Sequence, residues 1–184
     1  NKVYLFSDDS TTPIWNYSTG DDVISVAISD DGEYIVAGSQ GSKIYLFNRN
    51  SSTPLWNYTY GNSPVASVDI SADGQYIIAG YENPGRVFCF HKNSSTPIWN
   101  YDTYMGRSVK DVAISDDGYY VAVASGFQHG SQISFLSGSG TYLWALDNRN
   151  SDGNIEFDLA YVAISADGEY TVAGTRNYND DKDQ

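Results

Sequence analysis

Short runs of alternating apolar and polar residues dominate the chain, and their arrangement repeats four times. One such element spans residues 26–38, and similar stretches begin at Val68, Val112 and Val162. Each contains two β-rich runs joined by Asp-Gly, which supplies the positive φ angles that a tight hairpin turn needs. No longer segment shows the 3.6-residue apolar spacing of a helix. The pattern therefore predicts an all-β chain built from hairpins.

Two further strands repeat with the hairpin. A strand with a basic residue and aromatics occupies residues 2–6, 43–47, 86–90 and, more loosely, 132–136. A strand ending in Trp and Tyr occupies residues 12–17, 53–58 and 96–101, and its fourth copy at residues 141–144 lacks the proline. We name the hairpin strands a and b, the aromatic strand c and the Trp strand d. The chain then reads c-d, three times a-b-c-d, and a-b.

Four antiparallel strands in each repeat of about 45 residues are typical of a propeller blade. The sequence predicts an all-β fold, a β-propeller of four-stranded antiparallel blades, in which the first c-d pair and the last a-b pair are half-blades. The repeat units lie at residues 1–17, 18–58, 59–101, 102–146 and 147–184, within a single domain or portion of one at residues 1–184.

The hairpin VAISDDGEYIVAGS (residues 26–39), followed by KIYLF (residues 43–47), resembles WD40-like propeller repeats. The strand TPLWNY (residues 53–58) is similar to the outer strand of quinoprotein (PQQ)-like propellers. The resemblance implies the architecture rather than an activity, because propellers host many unrelated functions. The Gly-His and Trp-Asp dipeptides of strict WD40 repeats are missing, so their buried His–Asp network is not expected.

The number of blades stays open in the sequence. The two half-blades could close a four-bladed ring, two chains could complete an eight-bladed ring, or the chain could be a portion of a larger ring. We favour the last, because the resemblance implies six to eight blades. The chain begins with Asn1, and we expect a processed form or an excised part. Open b and c strands at the two ends predict self-association through unpaired blade edges.

The formal charge of −13 limits the classes of partner. A phosphate backbone or an anionic lipid surface would be repelled, so nucleic acid and membrane insertion are not expected. Cys89 is the one cysteine, and its place inside strand c predicts a buried, inert thiol. Protein and glycan ligands remain.

Loop lengths point to one face of the propeller. The a–b and c–d turns keep nearly constant lengths, whereas the b–c and d–a loops vary, and loops on a rigid scaffold commonly bind ligands. We call the side with the b–c and d–a loops the variable-loop face. Its aromatic, amide and charged residues are the predicted binding set: Tyr60, Tyr81, Glu82, Asn83, Tyr104, Arg107, Phe127, Gln128 and His129.

The longest loop resembles a calcium-binding loop, since oxygen donors alternate around Gly153. The candidate ligands are Asn148, Asn150, Asp152, Asn154 and Glu156. The loop departs from the EF-hand pattern because Asn stands at its first position and no Glu follows at its twelfth. The alternative is an ordinary Asn/Asp/Gly-rich loop. Calcium is therefore the one candidate cofactor, and no other cofactor is expected.

No catalytic constellation is present in the sequence, and we do not expect an enzyme. Formal N-glycosylation acceptors at Asn16, Asn50, Asn57 and Asn93 favour an extracellular or cell-surface location. The predicted function is a non-enzymatic binding or structural propeller that uses the variable-loop face for protein or glycan contacts. The alternatives are a portion of a quinoprotein-like dehydrogenase, which would need a calcium-bound quinone and a carboxylate base, and a calcium-assisted lectin or adhesion module.

Overall fold

The computed structural model describes residues 1–127, 130–147 and 158–176. Strands β1 (Lys2–Leu5) and β2 (Trp15–Ser18) form an N-terminal half-blade. The first blade comprises β3 (Val23–Ile28), β4 (Tyr34–Ser39), β5 (Lys43–Asn48) and β6 (Trp56–Thr59). The second comprises β7 (Val65–Ile70), β8 (Tyr76–Tyr81), β9 (Arg86–His91) and β10 (Trp99–Asp102).

The third blade comprises β11 (Val109–Ile114), β12 (Tyr120–Phe127), β13 (Gly130–Ser137) and β14 (Tyr142–Asp147). Strands β15 (Asp158–Ile164) and β16 (Thr171–Arg176) form a C-terminal half-blade. Each complete blade is an antiparallel sheet in sequence order, as predicted. A single 3₁₀ turn at Tyr104–Gly106 is the helical element of the described residues.

The Trp strands begin later than the sequence pattern predicts. The strands β2, β6 and β10 start at the Trp of each repeat, because the preceding Thr-Pro residues connect c to d instead of pairing in the sheet. The Asp-Gly prediction is confirmed as a hairpin with positive φ at Gly32, Gly74, Gly118 and Gly168. The connection between strands is longer than two residues, since β3 ends at Ile28 and β4 begins at Tyr34.

The Asp of each hairpin is held in the turn by local hydrogen bonds. Asp31 accepts from the Ser29 hydroxyl at 2.6 Å and from the Glu33 amide at 2.8 Å. Both hydrogen bonds lower the pKa of Asp31, and the bond from Ser29 has the larger effect. The equivalent bonds recur at Asp73, Asp117 and Asp167. These carboxylates are therefore turn residues.

The apolar core lies between neighbouring blades. Val36 and Leu46 of the first blade share one buried cluster with Val65, Phe88 and Phe90 of the second. A second cluster joins the second and third blades, and a third joins the third blade to the C-terminal half-blade. Burying each large side chain contributes about 1.5–3 kcal/mol relative to leaving it exposed. The stacking of blades is therefore what makes the individual sheets stable.

The innermost strands β3, β7, β11 and β15 lie side by side, so consecutive blades are arranged around a common axis as in a β-propeller. In the described part of the chain, no sheet joins β16 to β1, and the propeller is open between its two half-blades. Among the described residues, no helix is long and apolar enough to cross a membrane.

Candidate functional site

On the variable-loop face, two loops at the second blade are hydrogen-bonded to each other. The b–c turn at residues 82–85 meets the d–a segment at residues 103–108. Thr103 donates from its amide and its hydroxyl to the Gly85 carbonyl oxygen, at 3.0 and 2.9 Å. The Gly85 amide donates to the Gly106 carbonyl oxygen at 3.2 Å. We call these two segments the interlocked loops.

Two serine hydroxyls tie the b–c turn to the d–a segments on either side of it. The Asn83 amide donates to Ser63 Oγ at 2.8 Å, and Ser108 Oγ donates to the Glu82 carbonyl oxygen at 2.7 Å. Both backbone groups are fixed by neighbours in the fold. The side chains of Glu82 and Asn83 themselves are exposed, so the turn presents them on a rigid support.

Arg86, the first residue of β9, binds Asp102, the last residue of β10, next to the interlocked loops. Its guanidinium forms a bidentate ion pair with Asp102, including an Nη2–Oδ2 hydrogen bond of 2.8 Å. Its Cζ lies 5.4 Å from the centre of the Tyr60 ring. The hydrogen bonds that Arg86 donates to Asp102 raise the pKa of Arg86, so the guanidinium stays charged. Tyr60 is half-buried as a result of this packing.

Arg107 supports the loops instead of projecting from them. Its side chain is 3% exposed and its Nη2 lies 3.4 Å from Asp147 Oδ2 in the third blade. Its Cζ lies 5.3 Å from the centre of the Tyr104 ring. The prediction places Arg107 among the binding residues of the variable-loop face, but its guanidinium is buried against Asp147 and Tyr104 and is not exposed for contact.

Tyr81 was expected in an exposed loop, and this is also wrong. It is the last residue of β8 and is fully buried. Its ring makes edge contacts with Tyr60 at 5.3 Å and with Phe88 at 5.6 Å. Burial raises the pKa of Tyr81, which keeps the phenol neutral. Tyr81 is therefore part of the inter-blade core.

The remaining predicted binding residues divide into two groups. Tyr104, Glu82 and Asn83 are exposed on the interlocked loops. Phe127 is the last residue of β12, and Gln128 and His129 lie outside the described residues. Exposed Tyr104 and the two b–c turn residues are thus the part of the predicted set that the structure brings together at one surface.

Met105 belongs to this surface, although the sequence patterns do not single it out. Met105 is 74% exposed. Its backbone has φ 56° and ψ 24°, a left-handed conformation that residues other than Gly rarely adopt. The 3₁₀ turn around it is closed by the Gly106 amide, which donates to the Thr103 carbonyl oxygen at 3.0 Å. The only feature of the sequence that distinguishes this position is that Met105 is the one Met of the chain. The loops thus present adjacent Tyr and Met side chains to solvent.

The predicted calcium ligands Asn148, Asn150, Asp152, Asn154 and Glu156 lie outside the described residues. Within residues 1–127, 130–147 and 158–176, no group of three or more His, Cys, Asp or Glu side chains could hold a metal ion. Cys89 is buried as predicted, and burial raises the pKa of its thiol to about 12. A thiol in that state is a poor nucleophile.

The four sequon asparagines share an exposed position. Asn16 and Asn57 lie on d strands, with their side chains directed away from the neighbouring blade, and Asn50 and Asn93 lie in c–d turns. The fold therefore leaves each of them accessible.

Comparison with known proteins addresses the architecture. The family model described as "WD domain, G-beta repeat" matches residues 11–48, which cover β2 to β5. Nothing found by comparison supports the quinoprotein resemblance. No curated protein matches the chain significantly in sequence.

Solved structures share the fold. A chain in the crystal structure of a mitotic checkpoint complex superposes with a TM-score of 0.70 at 18% sequence identity. The match covers 88% of this chain and 51% of that one, so this chain spans about half the length of its structural relative. The fold is therefore that of a β-propeller, and residues 11–48 are similar to the WD40 repeat.

Proposed function

We propose that the chain is a non-enzymatic propeller module that binds a protein partner through the interlocked loops. The observation that carries the proposal is the exposed Tyr104–Met105 pair on a turn fixed by backbone hydrogen bonds. Tyr and Met are enriched in protein interfaces, where they supply large contact areas. Backbone strain of the kind seen at Met105 tends to occur at binding sites.

The surroundings of the pair suit an interface rim. Glu82 and Asn83 are exposed polar residues on the adjoining turn, while Arg107 and Thr103 hold the turn from below. Because the supporting loops are already ordered, binding costs less conformational entropy than binding through a flexible loop. The formal charge of −13 favours a neutral or basic partner surface.

Comparative capture from the natural source tests the proposal. The wild-type chain, a Tyr104→Ala/Met105→Asp variant and a Tyr170→Ala control are used as baits, with bound proteins quantified by mass spectrometry. Tyr170 is 73% exposed in the hairpin turn of the C-terminal half-blade, on the opposite face. We expect a partner that is lost with the first variant and retained with the control.

A photo-reactive amino acid in place of Met105 should cross-link to the same partner, which establishes direct contact. Partners that bind all three baits equally would contradict the proposal.

We also propose an extracellular or cell-surface setting, supported by the exposure of Asn16, Asn50, Asn57 and Asn93. Protein isolated from its natural source is then expected to lose mass on treatment with an N-glycan-removing amidase. An unchanged mass at all four sequons would count against this setting.

A further inference from the structure

A groove of about 640 Å³ runs between the second and third blades, on the face that carries the a–b and c–d turns. This is the face opposite the interlocked loops. The residues that shape the groove come from both blades: Tyr76, His91, Ile98, Tyr119, Gly138 and Ser139. The His91 ring meets the Tyr76 ring edge to face, with centroids 6.0 Å apart. The groove is therefore an aromatic slot open to solvent.

The interface between the first and second blades shows what normally covers this position. There, Lys92 Nζ lies 4.6 Å from the centre of the Tyr34 ring, across the blade boundary. Tyr34 and Tyr76 are equivalent, since each begins strand b of its blade. A lysine ammonium on a tyrosine face is a favourable cation–π contact. At the boundary between the first and second blades, the cation over the tyrosine ring is therefore a side chain of the protein itself.

The equivalent of Lys92 in the third blade is Gly138. The Trp56 indole donates to the Lys92 carbonyl oxygen, and the Trp99 indole donates to the Gly138 carbonyl oxygen. The two carbonyls therefore occupy the same place in consecutive repeats. Lys92 places its ammonium over the Tyr34 ring. Gly138 has no side chain, so this position supplies no cation to the Tyr76 ring.

The backbone keeps position 138 free of a side chain. A Cβ atom on Gly138 would lie 2.2 Å from the Gly118 carbonyl oxygen, far inside contact distance. The Gly138 amide also donates to the Tyr119 carbonyl oxygen at 2.6 Å, which draws the two turns together. At the matching hairpin position of the second blade stands Gln75, whereas the third blade has Tyr119, which is 69% exposed. The slot thus gains a second aromatic wall.

We propose that this groove binds a protonated lysine side chain from a segment of a protein partner. The ammonium takes the place over Tyr76 that Lys92 takes over Tyr34, and the methylene stem lies against Tyr119 and Ile98. The formal charge of −13 attracts a basic segment to the chain. This site goes beyond the contact proposed for the interlocked loops, and it stands whether or not those loops bind a partner.

Peptide titration tests the site directly. The probe is an N-acetylated, C-amidated peptide with one central Lys among Ser and Gly, compared with the same peptide carrying norleucine. Binding to the intact chain is followed by calorimetry and by NMR shifts of the tyrosine rings at about 0.15 M salt, where long-range attraction is screened. We expect binding of the Lys peptide, shifts at Tyr76 and Tyr119, and about five-fold weaker binding of the norleucine peptide.

Two variants and a matched control locate the contact. Tyr76→Leu and Tyr119→Leu are each expected to weaken binding of the Lys peptide about five-fold without changing the net charge. Tyr119 is exposed, so its replacement leaves the fold intact. Tyr34→Leu removes the equivalent ring that Lys92 already covers, and it should leave binding unchanged. Equal binding to wild type and Tyr119→Leu, or no binding of the Lys peptide, would overturn the proposal.

A gain of function gives an independent check. Lys92→Gly uncovers the Tyr34 ring and is expected to create a second, weaker site, seen as peptide-dependent NMR shifts at Tyr34. It is weaker because Gln75 replaces the second aromatic wall. If Tyr34 stays unshifted in Lys92→Gly, an uncovered tyrosine face is not what recruits the lysine, and the proposal fails.

Discussion

The indole Nε1 of Trp99 donates a hydrogen bond of 2.7 Å to the carbonyl oxygen of Gly138, which lies in the next blade. The same relationship recurs along the chain: Trp56 donates to Lys92 and Trp15 donates to Arg49, each at 2.8 Å. In the described structure, each boundary between a d strand and the following c–d turn thus has a hydrogen bond from Trp in addition to its apolar core. We call this hydrogen bond the clasp. The Trp of strand d is therefore a residue of the boundary between blades, which explains its recurrence in each repeat.

Trp56→Phe tests the clasp. The phenyl ring keeps part of the packing against Phe90, but the hydrogen bond to Lys92 is lost and the free energy of unfolding should fall by about 1–2 kcal/mol. Trp144→Phe is the matched control, since Trp144 is 45% exposed and should change stability by less than about 0.5 kcal/mol. Urea denaturation followed by circular dichroism measures both. Equal losses in the two variants would show that the hydrogen bond is not the stabilising feature.

The sequence predicts the blades well because each strand and hairpin is encoded locally. The Asp-Gly pairs, the alternation of apolar residues and the order c-d-a-b are all visible within a single repeat. The clasps are not, because the acceptor of the Trp56 indole belongs to the following repeat and is a backbone carbonyl, which leaves no mark in the side-chain pattern.

The candidate site was only partly predictable for a related reason. Variation in loop length directs attention to Tyr104 and Glu82, which are exposed, but it cannot show that Tyr81 and Arg107 are buried. Tyr81 is buried because it ends β8 and packs against Tyr60 and Phe88. Arg107 is held inward by the hydrogen bonds between the b–c turn and the d–a segment. The groove at Tyr76 was missed because it lies on the face whose loops keep constant length and depends on the identities of Gly138 and Tyr119.

A close approach between blades at Gly80 gives a second prediction. A Cβ atom at Gly80 would lie 2.4 Å from Val109 Cγ1 in the next blade, so Gly80→Ala should force the blades apart. Overpacking of this kind costs about 1–3 kcal/mol of unfolding free energy. Gly174 occupies the same repeat position at the C-terminal half-blade, where an added Cβ would meet nothing closer than 3.7 Å.

Gly174→Ala is therefore expected to change stability by less than about 0.5 kcal/mol. Thermal and urea unfolding of the two variants provide the comparison. A Gly80→Ala variant as stable as wild type would show that Val109 can move aside without cost.

Asp69 predicts a pH dependence of stability. Its carboxylate bridges two blades, accepting from the Ile114 and Ile70 amides at 2.9 Å each. Burial raises the pKa of Asp69, the hydrogen bonds from Ile114 and Ile70 oppose this, and the nearby charges of Asp111 and Asp116 raise it further. The folded chain therefore binds this proton more tightly than the unfolded chain does.

The stability that protonated Asp69 contributes is fully present at a pH below 3.8, the ordinary pKa of an Asp carboxyl. It is lost as the pH rises through the higher pKa that Asp69 has in the folded chain. Asp69→Asn does not titrate. The free energy of unfolding of the variant minus that of wild type should therefore increase as the pH is raised from below 3.8. Urea titrations of both proteins between about pH 3.5 and pH 7 measure this difference. A difference that is flat or falls with pH would contradict the raised pKa.

The N-terminal end of the described fold exposes apolar residues whose equivalents in the other repeats are buried. Val26 is 59% exposed, whereas the equivalent Val68 is 4% exposed. Phe6 is 52% exposed, whereas the equivalent Phe47 is fully buried. A neighbouring blade covers the interior copies. Exposed apolar residues whose equivalents are buried by a neighbouring blade favour association with a partner that restores this contact.

Self-association through these ends is the last prediction. The free edge of β16 is a b strand and that of β1 is a c strand, and b–c pairs form the ladders β4–β5, β8–β9 and β12–β13 within each blade. A second copy can therefore pair its β1 with β16 of the first, and the chain should show concentration-dependent association in sedimentation velocity. Val26→Asp and Phe6→Asp are expected to shift the distribution towards monomer, because each places a charge in the buried contact. Met105→Asp adds the same charge on the interlocked loops and should leave association unchanged. A wild-type chain that stays monomeric at all concentrations, or Asp variants that associate as wild type does, would show that these open edges do not pair.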